Sequence, residues 1–356
     1  MRLTCCREGT FVGDCIKMKK IFFTWNGLGD NLALVGAAFN YFLKTGEKAL
    51  LGVPFNCFND LFEYADFVDW CTYSSMSGKR RRETMDLCAK KNLEPIFITA
   101  CGYKWLLPDF EYNINYWHRK HLILRYSERM GLDGDVQIRI PIREDYPTSG
   151  NSSFLQNLIK SRYVCIMTGG VQNYKAVKAD VMQGIVNAYK EKFKFIQLGS
   201  KKDLVLSDVV DCRGTSLVDS ISLLQNAQFL ITATGGLTHL AAVSQCKAFV
   251  LQTGGEPLQI GFYLANRYVT AVDNCGICAR NWRDPQHQPC FYHYKCIRNL
   301  TSERAVKALE NELIYLMSSG EYGFEVLKAS SEPANGLEDY FSHEKTLKFE
   351  GGFFSC

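Results

Sequence analysis

Three clusters of residues in this sequence are equipped for chemistry. The first is the turn Gly27-Leu28-Gly29-Asp30-Asn31. A glycine turn that opens a helix presents unpaired backbone N–H groups and the positive end of the helix dipole, which together attract anions. A carboxylate placed there, Asp30, suits either proton abstraction or helix capping. The second cluster is Thr234-Gly235-Gly236-Leu237-Thr238-His239, a turn of the same kind with hydroxyls and no carboxylate. Its N–H and hydroxyl groups suit a diphosphate. His239 falls in the first helical turn, where it either faces the same ligand or packs into the core. The third is Cys275-x2-Cys278-x11-Cys290-x5-Cys296, four thiols within 22 positions. That donor set suits a tetrahedral structural ion, iron or zinc, with His287 and His293 as substitute ligands. Disulfides or free thiols are the competing reading.

Smaller features surround these clusters. Thr168-Gly169-Gly170 is followed by Lys175 and Lys178, and a cation there could neutralise a departing phosphate. The alternative is two exposed lysines at a helix start. The run Lys79-Arg80-Arg81-Arg82 is either a solvated helix start or an attraction for an anionic acceptor or the inner face of a membrane. A nicotinamide-type site at the first turn fails on three counts. The third glycine of the fingerprint is replaced by Leu32, and the next strand ends in Pro54-Phe55-Asn56 with no acid to hold a ribose. Asp30 would also repel a pyrophosphate.

The elements that must position these residues alternate between strand and helix. Ile21–Thr24 is a short β-branched and aromatic run that reads as a buried strand, and Leu32, Val35, Gly36, Phe39 and Phe42 recur at helical spacing after it. Further strands are expected at Ala49–Val53 and Pro95–Ala100, with a short strand or turn at Phe67–Tyr73 and a helix over Phe58–Tyr64. The stretch Tyr103–Arg129 carries Tyr112, Tyr116, Trp117 and Tyr126, an aromatic groove for an acceptor or part of the core. A linker over Asp145–Ser153 precedes a second alternation, with strands at Tyr163–Met167, Phe195–Leu198, Phe229–Thr232 and Ala248–Gln252. Helices are expected over Ala179–Phe193, Ser216–Gln225 and Leu237–Ser244. This pattern predicts an α/β protein of parallel sheets, with an N-terminal unit over 18–150 and a second over 151–273. A cysteine knuckle over 274–298 and a C-terminal helix and polar tail over 299–356 follow. Residues 1–17 lack the apolar core of a signal peptide and read as a disordered extension.

Composition excludes several classes. The chain has 356 residues, 47% hydrophobic and 22% charged, with a net charge of +4, too mild a balance to argue for nucleic acid. No apolar run reaches the roughly 18 residues of a membrane span. Fifteen cysteines in a chain this long and apolar do not indicate a disulfide scaffold. Cys57, Cys101, Cys165 and Cys246 lie in apolar surroundings and read as reduced core residues, which favours the cytoplasm.

The residues resemble glycosyltransferase family 9, the ADP-heptose heptosyltransferases, over roughly Lys19 to Leu313. Gly27-Leu28-Gly29-Asp30 resembles the family's N-terminal Gly-x-Gly-Asp turn, and Thr234-Gly235-Gly236-Leu237-Thr238-His239-Leu240-Ala241-Ala242 resembles its C-terminal signature. Arg213-Gly214-Thr215-Ser216-Leu217 resembles the family's nucleotide-side segment. Glu256-Pro257, with the cysteines after it, looks like the branch containing the autotransporter heptosyltransferases, whose cysteines hold an iron. The resemblance implies a GT-B architecture, two Rossmann-like units facing a cleft, and inverting transfer of heptose from ADP-heptose. It implies Asp30 as general base, with Gly27, Gly29 and Asn31 shaping the acceptor-side turn. Thr168, Gly169, Lys175, Lys178, Thr234 to His239 and Glu256 would hold the nucleotide-sugar donor. A saccharide, lipid-linked or protein acceptor, no catalytic metal and a homo-oligomer belong to the same implication. The chain departs from the pattern at Thr234 and Gly235, where the family has Asp and Ser/Thr, so a carboxylate near the donor sugar is missing. Two other classes would use the same layout: a sugar-nucleotide epimerase or hydrolase, and a non-catalytic, metal-dependent sugar-nucleotide scaffold.

Overall fold

The computed structural model describes residues 18–24, 27–54, 59–73, 78–98, 121–142, 153–168, 177–252, 261–270, 298–320 and 322–329. Within them the N-terminal sheet is built from β1 (Lys19–Phe23), β2 (Ala49–Pro54), β3 (Val68–Tyr73) and β4 (Leu93–Phe97), parallel and in the order β3-β2-β1-β4. In β1, Ile21, Phe22 and Phe23 are all buried, as expected of a strand covered on both faces. Phe23 lies directly across from Gly52, where a Cβ would come within 2.1 Å of its ring. Helices α1 (Leu28–Thr45), α2 (Asn59–Phe62) and α3 (Gly78–Lys90) connect these strands. Gly46 ends α1 in the left-handed region, at φ 71°, and returns its N–H to the Phe42 carbonyl. The Lys79–Arg82 run falls in the first turns of α3, with Arg82 exposed.

The C-terminal sheet contains β6 (Tyr163–Ile166), β7 (Lys194–Gln197), β8 (Val210–Asp211), β9 (Leu230–Ala233), β10 (Ala248–Gln252) and β11 (Arg267–Thr270). Its order is β11-β10-β9-β6-β7-β8, again parallel. Numbered from its own first strand, this is the doubly wound order 6-5-4-1-2-3, and the N-terminal sheet is its 3-2-1-4 part. In both, the direction of winding reverses beside the first strand, and ligands of such sheets bind at the carboxyl ends there. The connecting helices include α6 (Ala179–Tyr189), α7 (Leu217–Gln225) and α8 (Gly236–Val243).

Between the sheets run α4 (Leu122–Arg129), β5 (Gly134–Ile138) and α5 (Ser153–Ile159). After the second sheet come α9 (Ser302–Met317), packed on α6, and β12 (Glu325–Ala329). The sequence suggests a polar tail after Ser319. Instead β12 pairs antiparallel with β5, from Glu325 opposite Ile138 to Ala329 opposite Gly134, and Leu327 packs onto the core. Its alternation is mixed with charge and its partner is far away in sequence, so no local pattern marks it.

One hydrophobic core spans both halves, from Phe22 and Leu34 through Ile123 and Tyr126 to Leu237, Leu240 and Tyr263. Cys165 and Cys246 are buried in it as free thiols. Burial pushes the Cys246 thiol up to about 12, which leaves it protonated and unreactive. Cys57 and Cys101 lie outside the described residues.

Candidate active site

The two glycine turns meet. A Cβ on Gly29 would lie 2.9 Å from His239 Cδ2 and 3.5 Å from the Gly236 Cα, and a Cβ on Gly236 would lie 3.0 Å from that of Leu28. Only glycine at both places lets the N-termini of α1 and α8 come this close. Two positive helix ends facing one another favour an anion between or beside them.

Asp30 sits in the first turn of α1, whose N-cap is Gly27. Asp30 Oδ1 accepts from the Tyr126 hydroxyl of α4 at 2.9 Å. Thr24 Oγ1, at the end of β1, lies 3.0 Å from the same phenol oxygen. An ionised carboxylate only accepts, so Tyr126 donates to Asp30 and Thr24 donates to Tyr126. Asp30 Oδ2 lies over Gly27, 2.7 Å from where a Cβ would stand. Asn31 is fully buried and its amide donates to the Gly27 carbonyl at 2.8 Å. It closes the turn rather than reaching outward.

On the other side Gly235 adopts φ 157°, ψ −159°, a conformation essentially restricted to glycine. The Thr238 N–H bonds back to the Gly235 carbonyl. Thr238 Oγ1 is buried at this helix start with no hydrogen-bond partner among the described residues. Thr234 Oγ1 donates to Gln252 Oε1 at 2.9 Å, so it braces β9 against β10. His239 is buried and joined to Tyr263 by a 2.7 Å hydrogen bond between Nδ1 and the phenol oxygen. His239 is therefore packed, and it also lies against the Gly29 turn. His121, the N-cap of α4, accepts the Ile123 N–H and stacks edge-on against Tyr263. Burial, followed by nearby His239 and Arg125, holds His121 well below the usual histidine range, so it is neutral.

The remaining site residues divide. Thr168 donates to the Leu204 carbonyl at 3.0 Å and accepts from Gln197, whose carbonyl oxygen receives the Leu206 N–H. This pins the loop after β7 at the strand ends. Lys178 is exposed at the N-cap of α6. Arg213, between β8 and α7, forms a two-pronged pair with Asp211 and also bonds to the Asp203 carbonyl. That pairing pulls the Asp211 carboxyl down to about 2. Gly169, Lys175, Glu256 and the four cysteines Cys275, Cys278, Cys290 and Cys296 lie outside the described residues. Among the described residues, no three His, Cys, Asp or Glu side chains gather to hold an ion. No described helix is long and apolar enough to cross a membrane.

The sequence matches no known family model and no curated protein. Solved structures do match in shape. The iron-containing dodecameric glycosyltransferase TibC from enterotoxigenic E. coli superposes at TM-score 0.60 and 14% identity, over 85% of this chain and 77% of its own. The glycosyl transferase family 9 protein of Veillonella parvula superposes at 0.58 and 12%, over 85% and 98%. The fold is that of glycosyltransferase family 9. E. coli ADP-heptose lipopolysaccharide heptosyltransferase II shares it at 0.54 and 12%, over 85% and 100%. TibC has also been solved in complex with ADP-D-β-D-heptose. In this family 9 fold the two turns singled out in the sequence lie against each other across the two sheets. Tyr126, Thr24, His121 and Tyr263 complete the surroundings. Of these, only Tyr126 stands out in the sequence, as one aromatic among several.

Proposed function

We propose that the protein is an inverting glycosyltransferase. It moves a sugar, heptose by analogy with the ADP-D-β-D-heptose complex of TibC, from a nucleotide-diphosphate donor, ADP-heptose, to a saccharide, lipid-linked or protein acceptor. The observation that carries this reading is the abutment of a carboxylate-bearing turn from one sheet and a carboxylate-free helix start from the other. The acceptor hydroxyl gives its proton to Asp30 as its oxygen bonds to the anomeric carbon. The bond from that carbon to the diphosphate breaks on the opposite face, and the nucleoside diphosphate leaves with the electron pair. Its charge is met by the N–H groups opening α8, by Thr238, and by Lys175 or Lys178. The missing carboxylate at position 234 removes one like charge from beside the diphosphate.

A thermal-shift titration with ADP, UDP, GDP and their sugars tests the donor assignment. A ligand of the folded state at 100 times its Kd stabilises by about 2.7 kcal/mol. Selective stabilisation by ADP and ADP-heptose is expected. Preference for a uridine or guanosine series changes the donor, and no response to any of them removes the transferase reading.

The four cysteines are assigned a structural iron or zinc, a role their donor chemistry fits. Such an ion would brace the segment after the donor-side sheet and take no part in the transfer. Changing Cys275 and Cys278 to Ser is expected to lower bound metal, measured by elemental analysis, together with the melting temperature. Unchanged metal content refutes the assignment.

A further inference from the structure

Asp30 needs a fixed orientation to act as a base. Its exposure is intermediate, and one of its oxygens is held from α4. Tyr126 is fully buried, and a buried phenol must place its O–H on a partner. It places that hydrogen on Asp30 Oδ1 and receives another from Thr24, itself buried at the end of β1.

The platform behind Tyr126 is tightly fixed. Gly36 of α1 touches α4 so closely that a Cβ would come within 2.8 Å of Ile123. Asn40 of α1 pairs its side-chain amide with both backbone groups of Gln137 in β5, at 2.8 and 3.0 Å, and donates to Ser127, next to Tyr126. The phenol therefore cannot drift along α1. Oδ1 is committed to Tyr126, and Oδ2 is kept over Gly27, where the absent side chain leaves room.

We infer that Tyr126, backed by Thr24, is a positioning residue of the reaction: its hydrogen bond to Oδ1 fixes the Asp30 carboxylate that takes the acceptor proton. The inference rests on Asp30 being the base of the proposed transfer.

The test compares wild type, Tyr126→Phe, Asp30→Asn and the double variant. It reads ADP released from ADP-heptose, with water as acceptor where no better one is known, and crystal structures of wild type and the Phe variant accompany it. Tyr126→Phe is expected to lower kcat about tenfold, the effect of one hydrogen bond to a charged group, with the donor KM unchanged. Thr24→Val should lower it about threefold in the same direction. A residue that acts only through Asp30 adds nothing once Asp30 is gone, so the double variant should match Asp30→Asn. In the Phe variant's crystal structure the Asp30 side chain should have left its wild-type rotamer. A Phe variant within twofold of wild type, or a loss that multiplies that of Asp30→Asn, overturns the inference. An Asp30 rotamer unchanged in the Phe variant overturns it whatever the rates. If Asp30→Asn turns over like wild type, it is the general-base reading that fails. A displaced rotamer then still reports Tyr126 as the group that holds Asp30.

Discussion

Replacing Asp30 by Asn is expected to lower kcat by a factor on the order of 10² to 10⁴, while ADP affinity stays within a few-fold of wild type. Asparagine keeps the shape and can still accept the Tyr126 hydroxyl, so the turn survives. What it loses is the ability to take a proton. In the proposed reaction the diphosphate is held from α8, on the other sheet, which is why nucleotide binding should be nearly indifferent. Initial rates of ADP release and a calorimetric titration with ADP separate the two effects. Wild-type turnover in the Asn variant would exclude Asp30 as the base. A parallel collapse of ADP binding would mean that the carboxylate organises the donor side.

A large effect on stability is expected at Gly36. A methyl group there would stand 2.7 Å from the Arg139 carbonyl oxygen and 2.8 Å from Ile123 Cδ1. Ile123 can change rotamer, but the backbone carbonyl just after β5 cannot swing away, so α1 must shift from the end of β5 and disturb its packing on α4. Gly36→Ala should cost about 1–3 kcal/mol of folding stability, read as a lower midpoint in denaturant unfolding. Because α4 carries Tyr126, turnover of the remaining folded protein should fall as well. An unchanged midpoint would mean that the two helices are not in contact at this glycine.

These predictions draw on both what was legible in the sequence and what was not. Short apolar runs such as Ile21–Phe23 and Ala248–Gln252 are strands because parallel strands buried on both faces leave an uninterrupted apolar mark. The turns at Gly29 and Gly235 are visible because close backbone approach and unusual backbone angles admit little else. That they face one another is tertiary, and the likeness in shape to family 9 structures agrees with the GT-B layout inferred from the motifs. The local pattern misses contacts made at long range. Tyr126 reaches Asp30 from another helix, and nothing in its neighbourhood separates it from Tyr112 or Tyr116. Thr168 and Thr234 look like ligand hydroxyls in sequence, and no local pattern shows that each also holds strand ends together. Strand β8, two residues long, and β12 are too short or too polar to register. Their pairing is dictated by the sheet edge they join rather than by their own composition.

The pairing of β5 with β12 also bears on how the protein is made. A ribosome finishes β5 long before it reaches residues 325–329, and the whole second sheet is synthesised in between. Until then β5 lacks this hydrogen-bonding partner, a state in which strands invite the wrong neighbours. The N-terminal half, although first in the chain, is thus completed last. A nascent chain halted before residue 325 should be more prone to aggregate and more readily cut by protease near β5 than the finished one. That late strand adds to the coupling of the two halves through their shared core.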